Sequence, residues 1–139
     1  MQTLTISRIS QVEAAAYPEF MCSLQDAASL EDVADYCECR PEQVYILSEE
    51  TYYLLASEKR VVEVADVACL PNTTFPIFSV EPILRKRWAG KKIVADLREA
   101  TSYRILPYLL RKGWKLLRDK PWAWENEVMH EVHLKAPSV

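Results

Sequence analysis

Apolar residues alternate with polar ones at the start of the chain and then recur at every third or fourth position. Alternation is typical of a strand, whereas spacing of i, i+3, i+4 and i+7 is typical of a helix with one buried face. Ser10 and Ser29 each open a capping pattern, which favours a helix start. We therefore predict a strand at Thr3–Ser7, a helix from Ser10 to Tyr17, and a helix from Ser29 to Arg40 with Leu30, Val33, Ala34 and Cys37 on one face.

Three apolar runs rich in β-branched and aromatic residues follow, separated by short polar turns. This arrangement predicts an antiparallel meander of three strands. The runs are Val44–Leu47, Tyr52–Ala56 and Val61–Cys69.

The last part of the chain alternates between helical and strand patterns. Pro107 interrupts one helical pattern and should kink that helix. The predicted elements are a helix capped by Ser79 and stopped at Gly90, a strand at Lys91–Leu97, a helix opened by Thr101 or Ser102 and ended at Gly113, and strands at Trp114–Arg118 and Val128–Leu134. A loop with Trp122 and Trp124 joins these two strands. These two side chains either contact a partner or substrate or fold back over the core. We prefer the first interpretation for at least one of them.

Size and hydrophobicity indicate one domain spanning residues 1–139. The chain has 139 residues, of which 50% are hydrophobic, enough for a core. We expect a cytoplasmic protein with no membrane partner, because the sequence has neither a long uncharged apolar run nor a signal-peptide pattern.

Charge is distributed unevenly. Residues 1–80 carry four basic and thirteen acidic side chains, a net charge of −9, whereas residues 81–139 carry thirteen basic and seven acidic ones, a net charge of +6. An anionic ligand would favour the second half, while the acidic first half disfavours general nucleic-acid binding. The densest basic run, Arg85–Lys92, fits a phosphate contact, a nucleic-acid contact or a solvated helix face.

The cysteines and histidines do not have the spacing of a metal site. Cys37 and Cys39 lack the two-residue spacer of zinc knuckles, and His130 and His133 lie far away in a predicted strand. We expect no metal and reduced thiols.

The order of elements resembles the GNAT (general N-acetyltransferase) fold. Ile93–Asp96, a helix and Leu109–Trp114 are similar to the family's fifth strand, fourth helix and leucine-tyrosine to glycine-phenylalanine ending, with Leu109 in place of the tyrosine and Ser102 near the place of an asparagine. The resemblance implies an α/β (α+β) fold: a single-domain mixed sheet of about seven strands flanked by about four helices.

The family's glycine-rich loop after the third meander strand is absent. Leu70–Phe78 contains two prolines and no glycine, so the backbone cannot form the usual nest of N–H groups for a pyrophosphate. The N–H groups of Ser79, Val80 and Glu81 remain candidates to face an anion.

The resemblance implies an N-acetyltransferase with acetyl-CoA as co-substrate and an amine as acceptor. The base candidates are Glu63 and Asp66, which a separation of three places on opposite faces of a strand. The proton-donor candidates are Tyr103 and Tyr108. The candidate contacts for acetyl-CoA are Val67, Cys69, Ser79, Val80 and Ser102.

Each candidate also has an ordinary structural explanation. The two acids fit a solvated sheet face, and the tyrosines fit a core with satisfied hydroxyls. The alternative hypothesis is therefore a non-catalytic GNAT-fold binding or structural module, such as a phage-encoded or virion-associated protein. Its partner would be another protein, and a homo-oligomer is compatible with either hypothesis.

Overall fold

The computed structural model describes residues 30–48, 51–69 and 73–138. The strand predicted at Thr3–Ser7 and the helix predicted from Ser10 lie outside these residues. The described helices are α1 (Leu30–Tyr36), α2 (Ile77–Arg87) and α3 (Glu99–Arg111), and a 3-10 turn spans Pro41–Gln43. The described strands are β1 (Val44–Ser48), β2 (Tyr52–Glu58), β3 (Val62–Cys69), β4 (Lys92–Arg98), β5 (Lys115–Trp124) and β6 (Glu127–Lys135).

The fold class is α/β with a mixed sheet, as predicted. The six described strands are ordered β1-β2-β3-β4-β6-β5. The chain divides into two compact units. The first contains the chain up to Arg60 together with Val64–Phe75, and the second contains Val61–Glu63 and Pro76–Val139. The single domain spanning residues 1–139 remains a prediction.

The first unit contains α1, the first two predicted meander strands, and β3 from Val64 onward. β1 and β2 pair antiparallel from Val44↔Ser57 to Ser48↔Tyr53. The residues of β2 from Tyr52 to Ser57 are all buried, which explains why the sequence shows a continuous apolar run instead of alternation.

Helix α1 ends earlier than predicted. Three residues of its predicted face, Val33, Ala34 and Cys37, are buried. The helix ends at Tyr36 instead of Arg40, because Glu38 takes a positive φ of 54° and turns the chain out of the helix.

The second unit is built on an antiparallel β4-β6-β5 sheet covered on one face by α3. Ile93 pairs with Leu134, and Ala95 with Val132. These side chains are buried together with Ile105, Leu106 and Leu109 of α3, which packs on all three strands. Burial of this apolar face is the main stabilising contribution in the unit.

Both helices of the second unit start earlier than predicted. Helix α2 starts at Ile77 after the N-cap Pro76, not at Ser79, and α3 starts at Glu99 directly after β4, not at Thr101 or Ser102. Neither N-cap residue makes a side-chain capping hydrogen bond, so a search for hydroxyl caps misplaces both starts. Pro107 lies inside α3, which continues to Arg111.

Gly113 ends α3 in a Schellman motif. Its φ is +95°, the N–H of Gly113 donates to the Leu110 carbonyl over 3.1 Å, and the N–H of Trp114 donates to the Leu109 carbonyl over 3.1 Å. Leu109 and Trp114 are both buried, which is the apolar contact expected of this motif. The motif fixes the point at which β5 begins.

The predicted loop with Trp122 and Trp124 is wrong, because both residues belong to β5. Trp122 pairs with Met129 and Trp124 with Glu127, so only Glu125 and Asn126 form the turn. Glu125 has a φ of 54°, a conformation that lets a short turn close without glycine or proline.

Candidate functional site

Three elements of the second unit meet at the side chain of His130. His130 belongs to β6 and is 7% exposed. Its Nδ1 lies 2.7 Å from Oδ1 of Asp119 on β5, and its Nε2 lies 3.2 Å from Oε2 of Glu99, the first residue of α3. The Tyr103 ring packs edge-on against the imidazole, with 6.0 Å between ring centroids. We call these four residues the imidazole cluster.

The two carboxylates favour the charged form of His130. The hydrogen bond with Asp119 is the largest cause that raises the pKa of His130 above its ordinary value of 6.5, followed by the hydrogen bond with Glu99, while burial acts in the opposite direction. The imidazolium form can donate to both carboxylates at once.

A second cluster joins α2 to the end of α3. Phe78 is 72% exposed, and its ring contacts the Tyr108 ring edge-on with 4.7 Å between centroids. Lys112 Nζ and Arg111 Cζ lie 5.6 Å and 6.0 Å from the centre of the Tyr108 ring. Spacings of three and four residues place Arg111, the last residue of α3, and Lys112, its C-cap residue, beside Tyr108. These residues form the aromatic–cation cluster.

The predicted acetyl-CoA contacts occupy several environments. The N–H groups of Ser79 and Val80 both donate to the Pro76 carbonyl over 3.0 Å, which reduces what they can offer to an anion. Ser102 is buried inside α3. Val67 and Cys69 are half-buried on β3, and the Cys69 thiol donates to the Thr73 carbonyl over 3.6 Å.

The two base candidates differ in burial and orientation. Glu63 is exposed, whereas Asp66 is half-buried and accepts a hydrogen bond of 2.6 Å from the hydroxyl of Tyr53. Tyr53 is fully buried on β2, so it holds the Asp66 carboxylate in one orientation. Within this pair, Asp66 is the better positioned acid.

The two proton-donor candidates lie in different clusters. Tyr103 is 67% exposed and packs on His130, whereas Tyr108 is half-buried and belongs to the aromatic–cation cluster. The alternative explanation, that both are core tyrosines, therefore does not hold for Tyr103.

Trp122 and Trp124 lie on the same face of β5, because side chains two positions apart in a strand point the same way. They are 39% and 41% exposed. The indole N–H of Trp122 donates to Oδ1 of Asp96 over 2.9 Å. Their role in recognition remains a prediction.

Sequence analysis missed the imidazole cluster. Both histidines were considered only as zinc ligands, and Asp119 lay beyond the predicted end of its strand. One signal was present in the sequence. Val128, His130, Val132 and Leu134 occupy every second position of β6, so His130 shares a face with three apolar residues. A histidine in such a series requires buried polar partners.

Within residues 30–48, 51–69 and 73–138, no group of three or more His, Cys, Asp or Glu side chains is arranged to hold a metal ion. Among the same residues, no helix is long and apolar enough to cross a membrane.

The chain resembles a known protein in structure but matches none in sequence. No protein-family profile and no curated protein sequence matches the chain. The crystal structure of the ribosomal-protein-S18-alanine N-acetyltransferase from Escherichia coli is similar, with a TM-score of 0.58 and 11% sequence identity over 100% of this chain and 92% of that one. The fold of this chain is GNAT-like. The fold expected from the element order is thus confirmed. A structural likeness at so low a sequence identity shows the fold alone.

Proposed function

We propose that this GNAT-like chain is an acetyl-CoA-dependent N-acetyltransferase. The observation that carries the proposal is the structural likeness to an N-acetyltransferase along the whole length of the chain. In the reaction, a neutral amine nitrogen bonds to the acetyl carbon, the carbon–sulfur bond breaks, and the thiolate takes up a proton.

The aromatic–cation cluster supports binding of the acetyl donor in this chain. CoA contains a planar base and several phosphates. The exposed Phe78 ring offers a surface for stacking, while Arg111 and Lys112 supply positive charge beside Tyr108. These side chains would serve in place of the missing glycine-rich loop.

Asp66 is the proposed proton acceptor for the amine. Its hydrogen bond with Tyr53 orients the carboxylate, and its half-buried position limits competition from water. Tyr108 is placed for the phosphate end of CoA instead of the thioester end, because its ring lies beside Arg111 and Lys112. The similar protein acts on an alanine of ribosomal protein S18, so peptides with a free N-terminal amine are the acceptors to test first.

Calorimetric titration with acetyl-CoA tests the proposal. We expect saturable binding, and we expect a ligand concentration about 100 times the Kd to raise the free energy of unfolding by roughly 2.7 kcal/mol. The double variant Arg111→Ala/Lys112→Ala should weaken binding by about tenfold or more. Lys115→Ala, which removes an exposed cation from β5, is the matched control and should bind normally. Absence of heat and of thermal stabilisation would contradict the proposal.

A second candidate function is a non-catalytic binding module. The observation that favours it is the engagement of the Ser79 and Val80 N–H groups by the Pro76 carbonyl, at a helix start whose preceding loop has no glycine. In this alternative, acetyl-CoA does not bind, and the exposed Trp122 and Trp124 contact a protein partner.

A further inference from the structure

The imidazole of His130 is the point at which α3 is tied to the β5–β6 hairpin. Asp119 approaches one ring nitrogen from β5, and Glu99 approaches the other from the first turn of α3. The two acids are 20 residues apart in the sequence, as their numbers show, and each makes its contact with the same ring. A change in the protonation of this ring therefore affects α3 and the β5–β6 hairpin together.

The number of protons on the ring decides how many of these contacts are attractive. An ionised carboxylate only accepts hydrogen bonds, whereas a neutral imidazole has a single N–H. Both contacts are hydrogen bonds only when the ring carries two protons. When one proton leaves, one carboxylate faces a nitrogen lone pair, and that contact becomes repulsive.

The distances indicate which contact is lost. Asp119 is closer to the ring, at 2.7 Å, than Glu99, at 3.2 Å. The neutral ring should therefore keep its proton on Nδ1 and lose it from Nε2. Glu99 has a 41% exposed side chain, so its carboxylate can turn into water when the contact fails.

Two acids supply the charges that act on the ring, Asp119 and Glu99. The groups that face His130 are Glu99 and Tyr103 from α3, Asp119 from β5, and Leu97, its partner in register on β4. Arg98, which precedes Glu99 in the sequence, pairs with Glu127 over 2.9 Å.

We propose that Glu99, Asp119 and His130 form a proton-operated latch that holds the first turn of α3 to the β5–β6 hairpin. The latch is closed when the ring is doubly protonated and opens at Glu99 when the ring is neutral. Helix α3 follows β4 directly and has no side-chain N-cap hydrogen bond, so the latch is a major tether of its start. This inference does not depend on the proposed function.

NMR of the unmodified protein tests the latch at the ring itself. The variant His133→Gln assigns the two imidazoles. We expect His130 to titrate above the ordinary histidine value of 6.5, and long-range proton–nitrogen spectra to show the Nδ1–H tautomer above its midpoint. A His130 midpoint at or below 6.5, or an Nε2–H tautomer, would overturn the proposal.

Hydrogen exchange tests the consequence for α3. The amides of Ser102 and Tyr103 belong to the first helical turn with intrahelical acceptors. We expect their protection factors to fall severalfold as pH rises through the His130 midpoint, and Glu99→Gln to abolish this pH dependence. Leu109, near the opposite end of α3, is the control amide and should stay protected. Protection of Ser102 and Tyr103 that does not change across the midpoint would also overturn the proposal.

Discussion

Trp114 donates its indole N–H to the buried carboxylate of Glu81 over 2.7 Å. Both side chains are buried, and Arg85 approaches the other oxygen of Glu81 at 3.5 Å. The GNAT pattern has phenylalanine where this chain has Trp114. The larger aromatic and the buried acid thus occur together, because a buried indole N–H needs an acceptor and a buried carboxylate needs donors.

Trp114→Phe should therefore destabilise the protein, although phenylalanine is the residue of the GNAT pattern at this position. It leaves one oxygen of a buried carboxylate without its donor, at a cost of about 1–3 kcal/mol. Urea denaturation measures the loss, and a double-mutant cycle with Glu81→Gln isolates the pair. The two substitutions should be strongly non-additive; simple additivity would mean that the hydrogen bond contributes nothing measurable.

The stability of the protein should depend on the protonation of His130. Because Asp119 and Glu99 raise the folded pKa of His130 above its ordinary value of 6.5, this contribution is fully present below that value and is lost as pH rises through the folded pKa. Urea denaturation from about pH 5 to about pH 9 should show this decline. His130→Gln should remove that part of the pH dependence, and His133→Gln should retain it. Equal curves for the two variants would refute the assignment.

Trp122→Ala and Trp124→Ala should cost less stability than truncation of a buried tryptophan. Both side chains are more than a third exposed, whereas Trp88 is fully buried, so Trp88→Ala is the matched reference with an expected loss of roughly 3–5 kcal/mol. Trp122→Ala should cost more than Trp124→Ala, because it also removes the hydrogen bond to Asp96. Chemical denaturation of the three variants decides the matter. Losses as large as that of Trp88→Ala would indicate core packing and contradict a recognition role.

Tyr53→Phe should affect both stability and any acetyl transfer. The substitution removes a 2.6 Å hydrogen bond to Asp66 while keeping the buried ring, and loss of a bond to a charged acceptor costs about 1.5–3 kcal/mol. If Asp66 is the proton acceptor, the pH profile of kcat/KM for acetyl transfer should move as well. Tyr52→Phe on the same strand is the control. A displaced profile in Tyr52→Phe but not in Tyr53→Phe would exclude Asp66 as the base.

The sequence predicts the fold better than it predicts the site, for reasons visible in particular residues. The meander and the buried face of α1 depend on the local spacing of apolar residues, which can be read directly from the sequence. The start of α3 depends on Arg98, whose extended backbone acts as the N-cap without a hydroxyl. The end of β5 depends on the turn at Glu125, where a glutamate takes the positive φ that glycine or asparagine usually takes.

Local spacing puts His130 on an apolar face of its strand but does not indicate which acids contact it. Glu99, Asp119 and His130 lie on three different elements, and only the β5–β6 register and the packing of α3 bring them together. Asp119 was also placed outside its strand by the predicted end at Arg118. Tertiary pairing of this kind leaves little trace in a single sequence.

The strand order has a consequence for synthesis of the protein on the ribosome. In the second unit β6 lies between β4 and β5, although it is translated after both. The hydrogen bonds of β5 to its neighbour cannot form until β6 has left the ribosome. Until then the nascent chain carries an unpaired, two-tryptophan strand, a segment prone to mispairing with other chains. We therefore expect the second unit to complete its sheet only after β6 has emerged.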